Sequence, residues 1–309
     1  MIFDQNKDKK SFLDLMADHT VVAPCVYDCV SAQIIERLGF EAMCLSGGEL
    51  GASLVGVPDI GLVTQDELVG AVQRISDASS IPMIADIDTG FGNELNLIRT
   101  CKRVAHAGAK AVHLEDQTFP KRCGHLRGKQ VISHDEYINK VRAASYALEN
   151  TGCILIARTD SYHILGKDEA ISRCNDAIDA GAQVSFIEGC GTCEDIAEAG
   201  RRVKGYKMFA MLALGASPAV SYDQLVDWGY NLITMHFAMT GACRGMMEVG
   251  RRCFAEKSDI PTKDYVEIDR ANGASGFSYN LTGLNDWLSL GKRFNDKIEC
   301  ASVFEKEEK

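Results

Sequence analysis

Ala111-Val-His-Leu-Glu-Asp-Gln-Thr-Phe-Pro-Lys-Arg-Cys-Gly-His125 begins as an apolar strand and ends as a loop rich in reactive side chains. The strand delivers a carboxylate, Glu115, at its C-terminal end. Pro120 and Gly124 then punctuate a loop that can move over a site. That loop holds one thiol, Cys123, among Lys121, Arg122 and His125. Cations beside a thiol stabilise the thiolate and lower its pKa, so Cys123 is expected to donate or accept a proton near neutral pH. A purely structural cysteine sits in apolar company instead.

The same strand-then-loop pattern repeats along the chain. Short apolar or β-branched runs fall at 21–25, 42–46, 83–88, 111–115, 154–159, 184–188, 208–212 and 232–236. Amphipathic stretches lie between them, at 31–38, 65–76, 94–107, 135–147, 168–180, 193–203 and 222–228, with an eighth after residue 237. Thr64 with Glu67, Ser133 with Glu136 and Ser221 with Gln224 have the spacing of capping boxes at helix starts. Gly39, Gly108 and Gly181 fall where helices should stop. Eight strand–helix cycles predict a parallel (β/α)8 barrel, with an open doubly wound sheet as the competing architecture.

After about residue 257 the pattern changes. Polar, glycine-rich sequence leads to Leu284, Trp287, Leu288 and Phe294, an apolar stripe with helical spacing. Two segments are therefore expected: a catalytic barrel over 1–257 and a helical extension over 258–309. The stripe is suited to packing on another subunit or to capping its own barrel.

Bulk properties narrow the function. A chain of 309 residues is long for one domain but ordinary for an α/β barrel. The formal charge of −10 argues against a nucleic-acid partner, which requires clustered Lys and Arg. No apolar run reaches membrane-span length, and the N-terminal residues lack signal-peptide order. The 12 cysteines do not read as a disulfide scaffold in a chain this long, and free thiols favour a reducing, cytoplasmic setting. Cys190-Gly-Thr-Cys193 is a lone pair, without the second pair or spaced histidines of a zinc site.

In a parallel barrel, chemistry gathers where strands end. Those ends read Ser46-Gly47-Gly48, Asp86-Ile-Asp88, Glu115-Asp116, Arg158-Thr-Asp160 and Glu188. Asp86 and Asp88 lie two apart, and Glu115 and Asp59 can join them. Carboxylates this crowded need a cation or must hold protons. An all-oxygen set favours Mg2+ or Mn2+ over zinc, with one direct ligand, Asp86, and the other carboxylates holding its waters. The competing reading is an ion-pair network with Arg99, Lys102 or Arg103. Ser46, Gly47 and Gly48 offer a hydroxyl and approachable N–H groups, and Arg158 has the fork that grips a carboxylate or phosphate. His113 shares the strand face of Glu115, either as a core residue or to orient a metal-bound water. Gly90-Phe-Gly92 lacks the third glycine of a dinucleotide loop.

Taken together, these motifs resemble the isocitrate lyase/phosphoenolpyruvate mutase superfamily, and most of all its short carbon–carbon lyases. The resemblance covers residues 20–190 and rests on Leu45-Ser-Gly-Gly, Pro58-Asp, Asp86-x-Asp-x-Gly-x-Gly, Glu115-Asp-Gln, Lys121-Arg-Cys-Gly-His and Ala157-Arg-Thr-Asp, in that order. It implies a barrel, Mg2+ and homotetramers whose C-terminal helices swap between subunits. Asp86 would bind the metal, with Asp59, Asp88 and Glu115 ordering its waters. Ser46, Gly47 and Gly48 would hold the 2-oxo acid half of a small carboxylate substrate. Arg158, Glu188 and Gly124 would meet the remainder, and Cys123, in the Lys121–His125 loop, would be the general acid.

The implied reaction is cleavage of a 2-hydroxy di- or tricarboxylate, such as 2,3-dimethylmalate or 2-methylisocitrate, to pyruvate or glyoxylate and a carboxylate. Oxaloacetate hydrolysis and phosphonate mutation are the alternatives, and the Cys123 loop counts against the latter. Two departures stand out. Met211 occupies the position where such lyases carry an Asn, which favours a methyl-bearing malate over a tricarboxylate. Cys44 replaces a Tyr, leaving the base that takes the hydroxyl proton unassigned.

Overall fold

Residues Val21 to Pro24 pair in register with Leu232 to Met235, joining the first strand to the last. That pairing closes the sheet. The computed structural model describes residues 10–213, 215–265, 281–295 and 297–298. Its strands are β1 Val21–Val26, β2 Met43–Leu45, β3 Met83–Asp86, β4 Ala111–Glu115, β5 Ile154–Thr159, β6 Val184–Ile187, β7 Tyr206–Met211 and β8 Leu232–Met235. Every neighbouring pair is parallel, and the spatial order is the chain order. The barrel reading is correct, and the open sheet is excluded.

The helices are α1 Phe12–Asp18, α2 Cys29–Arg37, α3 Gly47–Leu50, α4 Gln65–Ala78, α5 Glu94–His106, α6 His134–Leu148, α7 Tyr162–Leu165, α8 Lys167–Asp179, α9 Cys193–Arg202, α10 Tyr222–Asp227, α11 Ala238–Glu256 and α12 Leu284–Lys292. Local sequence explains several starts. Thr64 with Glu67 and Ser221 with Gln224 form reciprocal capping boxes. At Ser133 only the hydroxyl side of the box forms, accepting from the Glu136 N–H. Asp28 with Ser31 makes a further box that the Ser/Thr-to-Glu/Gln pattern does not reveal. Gly39, Gly108 and Gly181 follow their helices with φ of 90°, 108° and 109°, the left-handed region in which a side chain is strained.

Phe12, Leu15 and Met16 of α1 cluster with Val21, Ile84, Ile154 and Val184 from the strands. These strand residues sit at or near the N-terminal ends, so α1 plugs that end of the barrel and leaves the C-terminal mouth open. Around the outside, apolar stripes of α2, α4, α5 and α6 pack on one arc of the barrel and those of α8, α9 and α10 on another.

The chain divides into two compact units, with residues 8–240 in one and residues from 241 onward in the other. The second unit contains most of α11, whose end at Glu256 adjoins the expected boundary at 257, and α12, which carries Leu284, Trp287 and Leu288. Residues 266–280, 296 and 299–309 of the expected extension lie outside the described residues. Among the described residues no helix is long and apolar enough to cross a membrane.

Candidate active site

Alternation along each strand sends every second side chain into the barrel. The inward residues are apolar near the plug and become polar toward the mouth: Ile84 gives way to Asp86, Ile156 to Arg158 and Phe186 to Glu188. A cavity of about 280 Å³ opens there, reached by Ser46, Gly48, Asp59, Asp86, Cys123, Gly124, His125, Arg158 and Glu188. The structure thus brings together nearly all of the residues expected from the sequence.

The carboxylates converge on Lys121, which is buried. Its Nζ lies 2.5 Å from Asp59 Oδ1 and 2.8 Å from Asp88 Oδ1. Burial opposes the charge on this ammonium, but Glu115, Asp88, Asp86 and Asp59 hold its pKa well above the ordinary value. Arg99, Lys102 and Arg103, the cations of the competing ion-pair reading, do not reach the cavity.

Asp86 accepts hydrogen bonds from the backbone N–H groups of Gly47, at 3.3 Å, and Asp88, at 3.1 Å. Burial pushes its carboxyl up, while His113, Lys121 and Arg158 outweigh that and take it below the usual range. Of these three, only Lys121 and Arg158 stay charged at neutral pH, since burial pushes His113 down to about 4. Asp88 goes the other way. Burial and the neighbouring Asp86 and Asp59 raise it to about 6 despite Lys121. The Ser46-Gly-Gly turn needs its glycines here: a Cβ on Gly47 would sit 3.2 Å from Asp86 Oδ2, and one on Gly48 3.1 Å from Asp59 Cγ.

Glu115 is the unsatisfied member. It is buried, and neither carboxylate oxygen accepts a hydrogen bond. Its nearest cation is Arg158 Nη1, 3.4 Å away, and burial raises its pKa well above the ordinary value. Orphaned buried oxygens of this kind ask for waters or an ion. Among the described residues no three His, Cys, Asp or Glu side chains converge closely enough to ligate an ion together. A hydrated divalent cation, held directly by few carboxylates and otherwise through water, fits this donor set, and a zinc cage does not.

The loop after β4 folds over the cavity. Its Cys123 N–H donates to the Asp59 carbonyl at 3.0 Å, and Lys129 Nζ bonds the Gly124 carbonyl. Gly124 lies so close to Arg158 Nη2 that a Cβ would collide with it and would stand 2.6 Å from Glu188 Cγ. His125 receives the Ala216 N–H on Nδ1 at 3.0 Å and faces Glu188 Oε1 at 3.7 Å. Arg122 behaves differently: its side chain is exposed and does not line the cavity.

The expectation for the Cys123 thiol is overturned in sign. Burial pushes its pKa up, and the backbone N–H of His125, Arg158 and Lys121 do not outweigh that push. The cations that flank the thiol in sequence are spent elsewhere, Lys121 on the carboxylates and Arg122 in solvent. The thiol is therefore held protonated.

The phosphoenolpyruvate phosphomutase family matches residues 12–252. The chain belongs to the PEP mutase/isocitrate lyase superfamily. It is an enzyme. Among its relatives, carboxyvinyl-carboxyphosphonate phosphorylmutase of Arabidopsis thaliana is 37% identical over 89% of this chain and 81% of that protein. The 2,3-dimethylmalate lyase of Eubacterium barkeri is 38% identical over 69% of this chain and 73% of that one. Oxaloacetate acetylhydrolase bound to 3,3-difluorooxalacetate superimposes with a TM-score of 0.83 at 30% identity, covering 90% of this chain and 93% of that one. Phosphonopyruvate hydrolase bound to oxalate and Mg2+ does so with a TM-score of 0.79 at 26% identity, covering 92% and 97%.

Within this superfamily frame the two expected departures change character. Met211 faces outward, packed against the cluster formed by β6–β8 with α8–α10. The residues that line the cavity on β7 and just after it are Met208, Ala210 and Leu212. Strand parity decides this, because 208, 210 and 212 point inward and 211 cannot. The wall is apolar as expected, but through different side chains. Cys44 does face inward, paired in register with Cys25 on β1. The hydrogen bond to Cys44, and burial, push the Cys25 thiol up.

Sequence reasoning missed two groups. The first is a buried layer behind Arg158: Asp160 binds Arg158 Nε at 2.8 Å and Lys129 at 2.8 Å, and Asp116 holds the Asp160 N–H, Thr159 and Arg173. Two of the three Arg158 nitrogens are thereby engaged, and Nη1 is the one facing Glu115 and Glu188. The second is the pair Glu49 and His236, which line the cavity; the inward parity of 232, 234 and 236 was the available signal for His236. Cys190 of the lone CxxC is buried, which raises its pKa to about 12.

Proposed function

We propose that this enzyme is a Mg2+-dependent carbon–carbon lyase. Its substrate is a substituted malate, cleaved between C2 and C3 to a 2-oxo acid (pyruvate where C2 carries a methyl group, glyoxylate where it carries hydrogen) and a carboxylate. The observation that carries this reading is the placement of Cys123 on a loop seated over clustered carboxylates.

Cleavage removes the C2 hydroxyl proton, turns the C–O bond into a carbonyl, and leaves the C2–C3 electron pair on C3 beside a carboxylate. That carbanion needs a proton. Cys123 holds one, because burial keeps its thiol neutral, and the seated loop keeps water from supplying it instead. Asp86 would hold the metal directly, with Asp59, Asp88 and Glu115 ordering its waters. Bound there, Mg2+ supplies Lewis-acid polarisation of the developing carbonyl. Lys121 offsets the charge of Asp59 and Asp88. Ser46, Gly47 and Gly48 would receive the 2-oxo acid half, and Arg158 Nη1, Glu188, Gly124 and His125 the other.

Oxaloacetate hydrolysis to oxalate and acetate is the second reading, favoured by the similarity to oxaloacetate acetylhydrolase. A phosphonate mutase has less support, because the Cys123 loop has no role in it. An assay with Mg2+ and a panel of 2,3-dimethylmalate, 2-methylisocitrate, citramalate and oxaloacetate separates these, with products followed by NMR and EDTA as control. Metal-dependent pyruvate or glyoxylate supports the lyase; oxalate supports the hydrolase. In the lyase, Cys123→Ser should lower kcat by ~10²–10⁴-fold and leave KM nearly unchanged.

We further propose a cytoplasmic homotetramer. Cys25, Cys44, Cys101, Cys123, Cys153, Cys174 and Cys190 are free thiols, in keeping with a reducing compartment. Exposed apolar side chains on the helices beyond the barrel support assembly.

A further inference from the structure

The cavity has two unlike walls. One, built by β3–β6 and the Cys123 loop, carries the charges described above. The other comes from β7, β8, β1, β2 and α3, and beyond Ser46, Gly47 and Gly48 the proposed chemistry uses none of its side chains. On it Glu49, in the first turn of α3, places Oε1 3.3 Å from His236 Nδ1. His236 Nε2 in turn faces only a weak partner, the Cys25 sulfur at 3.5 Å. The second oxygen of Glu49, Oε2, is buried and has no hydrogen-bond partner. Cys44, Ala210, Leu212 and Thr234 also line this wall of the cavity. Of these only the Thr234 hydroxyl is a strong donor, and it makes no hydrogen bond to Glu49 Oε2.

We propose that Glu49, held by His236, is a specificity-determining residue that reads the substituent on the substrate, and that this substituent presents a hydrogen-bond donor, a hydroxyl or an amino group. The inference rests on the lyase reading and narrows its substrate class. Three substituents compete for this wall. A carboxylate meets Glu49 as a like charge and is disfavoured. A methyl or ethyl group fills space but leaves Oε2 desolvated and unpaired, which is costly. A hydroxyl or ammonium donates to Oε2 and removes that cost. A site built to bond such a group discriminates strongly against the analogue that lacks it.

The test uses ligands that cannot be cleaved together with their cleavable counterparts. Binding is measured by calorimetry, with Mg2+, for 2-ethylsuccinate, 2-(hydroxymethyl)succinate and 2-(aminomethyl)succinate, which lack the C2 hydroxyl. Cleavage is measured for malates carrying the same three groups at C2 or C3. The expected result is tighter binding of at least one donor-bearing ligand, by roughly 10-fold or more over the ethyl compound. Glu49→Ala should abolish that preference. Glu49→Gln, which keeps an acceptor oxygen but not the charge, should retain the hydroxyl preference and lose the amino preference, a pattern that a merely structural role would not produce.

Equal binding of all three ligands by the wild type, within about threefold, overturns the inference even if every malate is cleaved, and leaves the lyase standing. Selective binding without cleavage of any malate overturns the lyase and leaves the recognition role of Glu49. Failure to bind any of the ligands overturns the inference, and failure to cleave any malate as well overturns both.

Discussion

Cys123 shows how one residue can suit its proposed role for a physical reason opposite to the expected one. Its sequence neighbours are cationic and point to a thiolate, yet burial dominates and the thiol keeps its proton. For a group that must give a proton to a carbanion, this is the useful state. The sign of the pH dependence follows. The pKa of the acid is raised, so kcat should persist through pH 9, the ordinary thiol value for this group, and decline only as pH rises through the higher value. A kcat profile whose alkaline limb lies well below 9, and vanishes in Cys123→Ser, would overturn the protonated-thiol account. Gly124 tests the seating of the same loop. A methyl group there collides with Arg158 and crowds Glu188, so Gly124→Ala should cut kcat/KM by about 10-fold or more while the melting temperature stays within a few degrees. Unchanged kinetics would mean that the loop does not need this close approach.

At the scale of elements, the site depends on what stands behind the strands. Arg173 on α8 is buried and reaches Asp116 Oδ2 at 3.0 Å, the Ile132 carbonyl at 3.0 Å and Glu169 at 2.8 Å. Asp116 then fixes the backbone of Asp160 and the hydroxyl of Thr159 at the end of β5. Removing one partner of such a buried pair leaves an uncompensated charge, so Arg173→Met should destabilise the protein by about 3–5 kcal/mol. Urea unfolding measures this, and a change below about 1 kcal/mol would mean that water replaces the guanidinium. The network also marks where sequence reading stops. The eight strands were legible because apolar runs announce themselves, and Asp86, Glu115, Arg158 and Glu188 because polar residues stood at their ends. Asp116 was legible only as part of a polar strand end, and nothing in its own segment betrays a partner 57 positions away. Glu49 and His236 were hidden similarly, since their meeting depends on the first and last strands closing the barrel. Met211 was misplaced by a single residue, which in a strand reverses the face.

At the scale of the whole molecule, a closed barrel has no sheet edge left for pairing, so association must use helices. Beyond the barrel, Met246 and Met247 of α11 are 66% and 56% exposed, and Phe254 is 86% exposed. Phe294, just past α12, is 82% exposed. Single exposed apolar residues are unremarkable, but four large ones on the segment after β8 are a poor arrangement for an isolated chain. The proposed tetramer would cover them. Light scattering should then give four times the chain mass of 33.7 kDa at micromolar concentration. Fully burying a Phe side chain contributes about 1.5–3 kcal/mol, and a symmetric tetramer repeats that contribution in each subunit. Phe254→Asp should therefore shift the protein to smaller species and lower its melting temperature. In the monomeric fold Phe254 is already in solvent, so a purely surface role predicts no change in either quantity. A wild-type mass of one chain across the accessible concentration range would overturn the assembly, and with it the reading of α11 and α12 as docking elements.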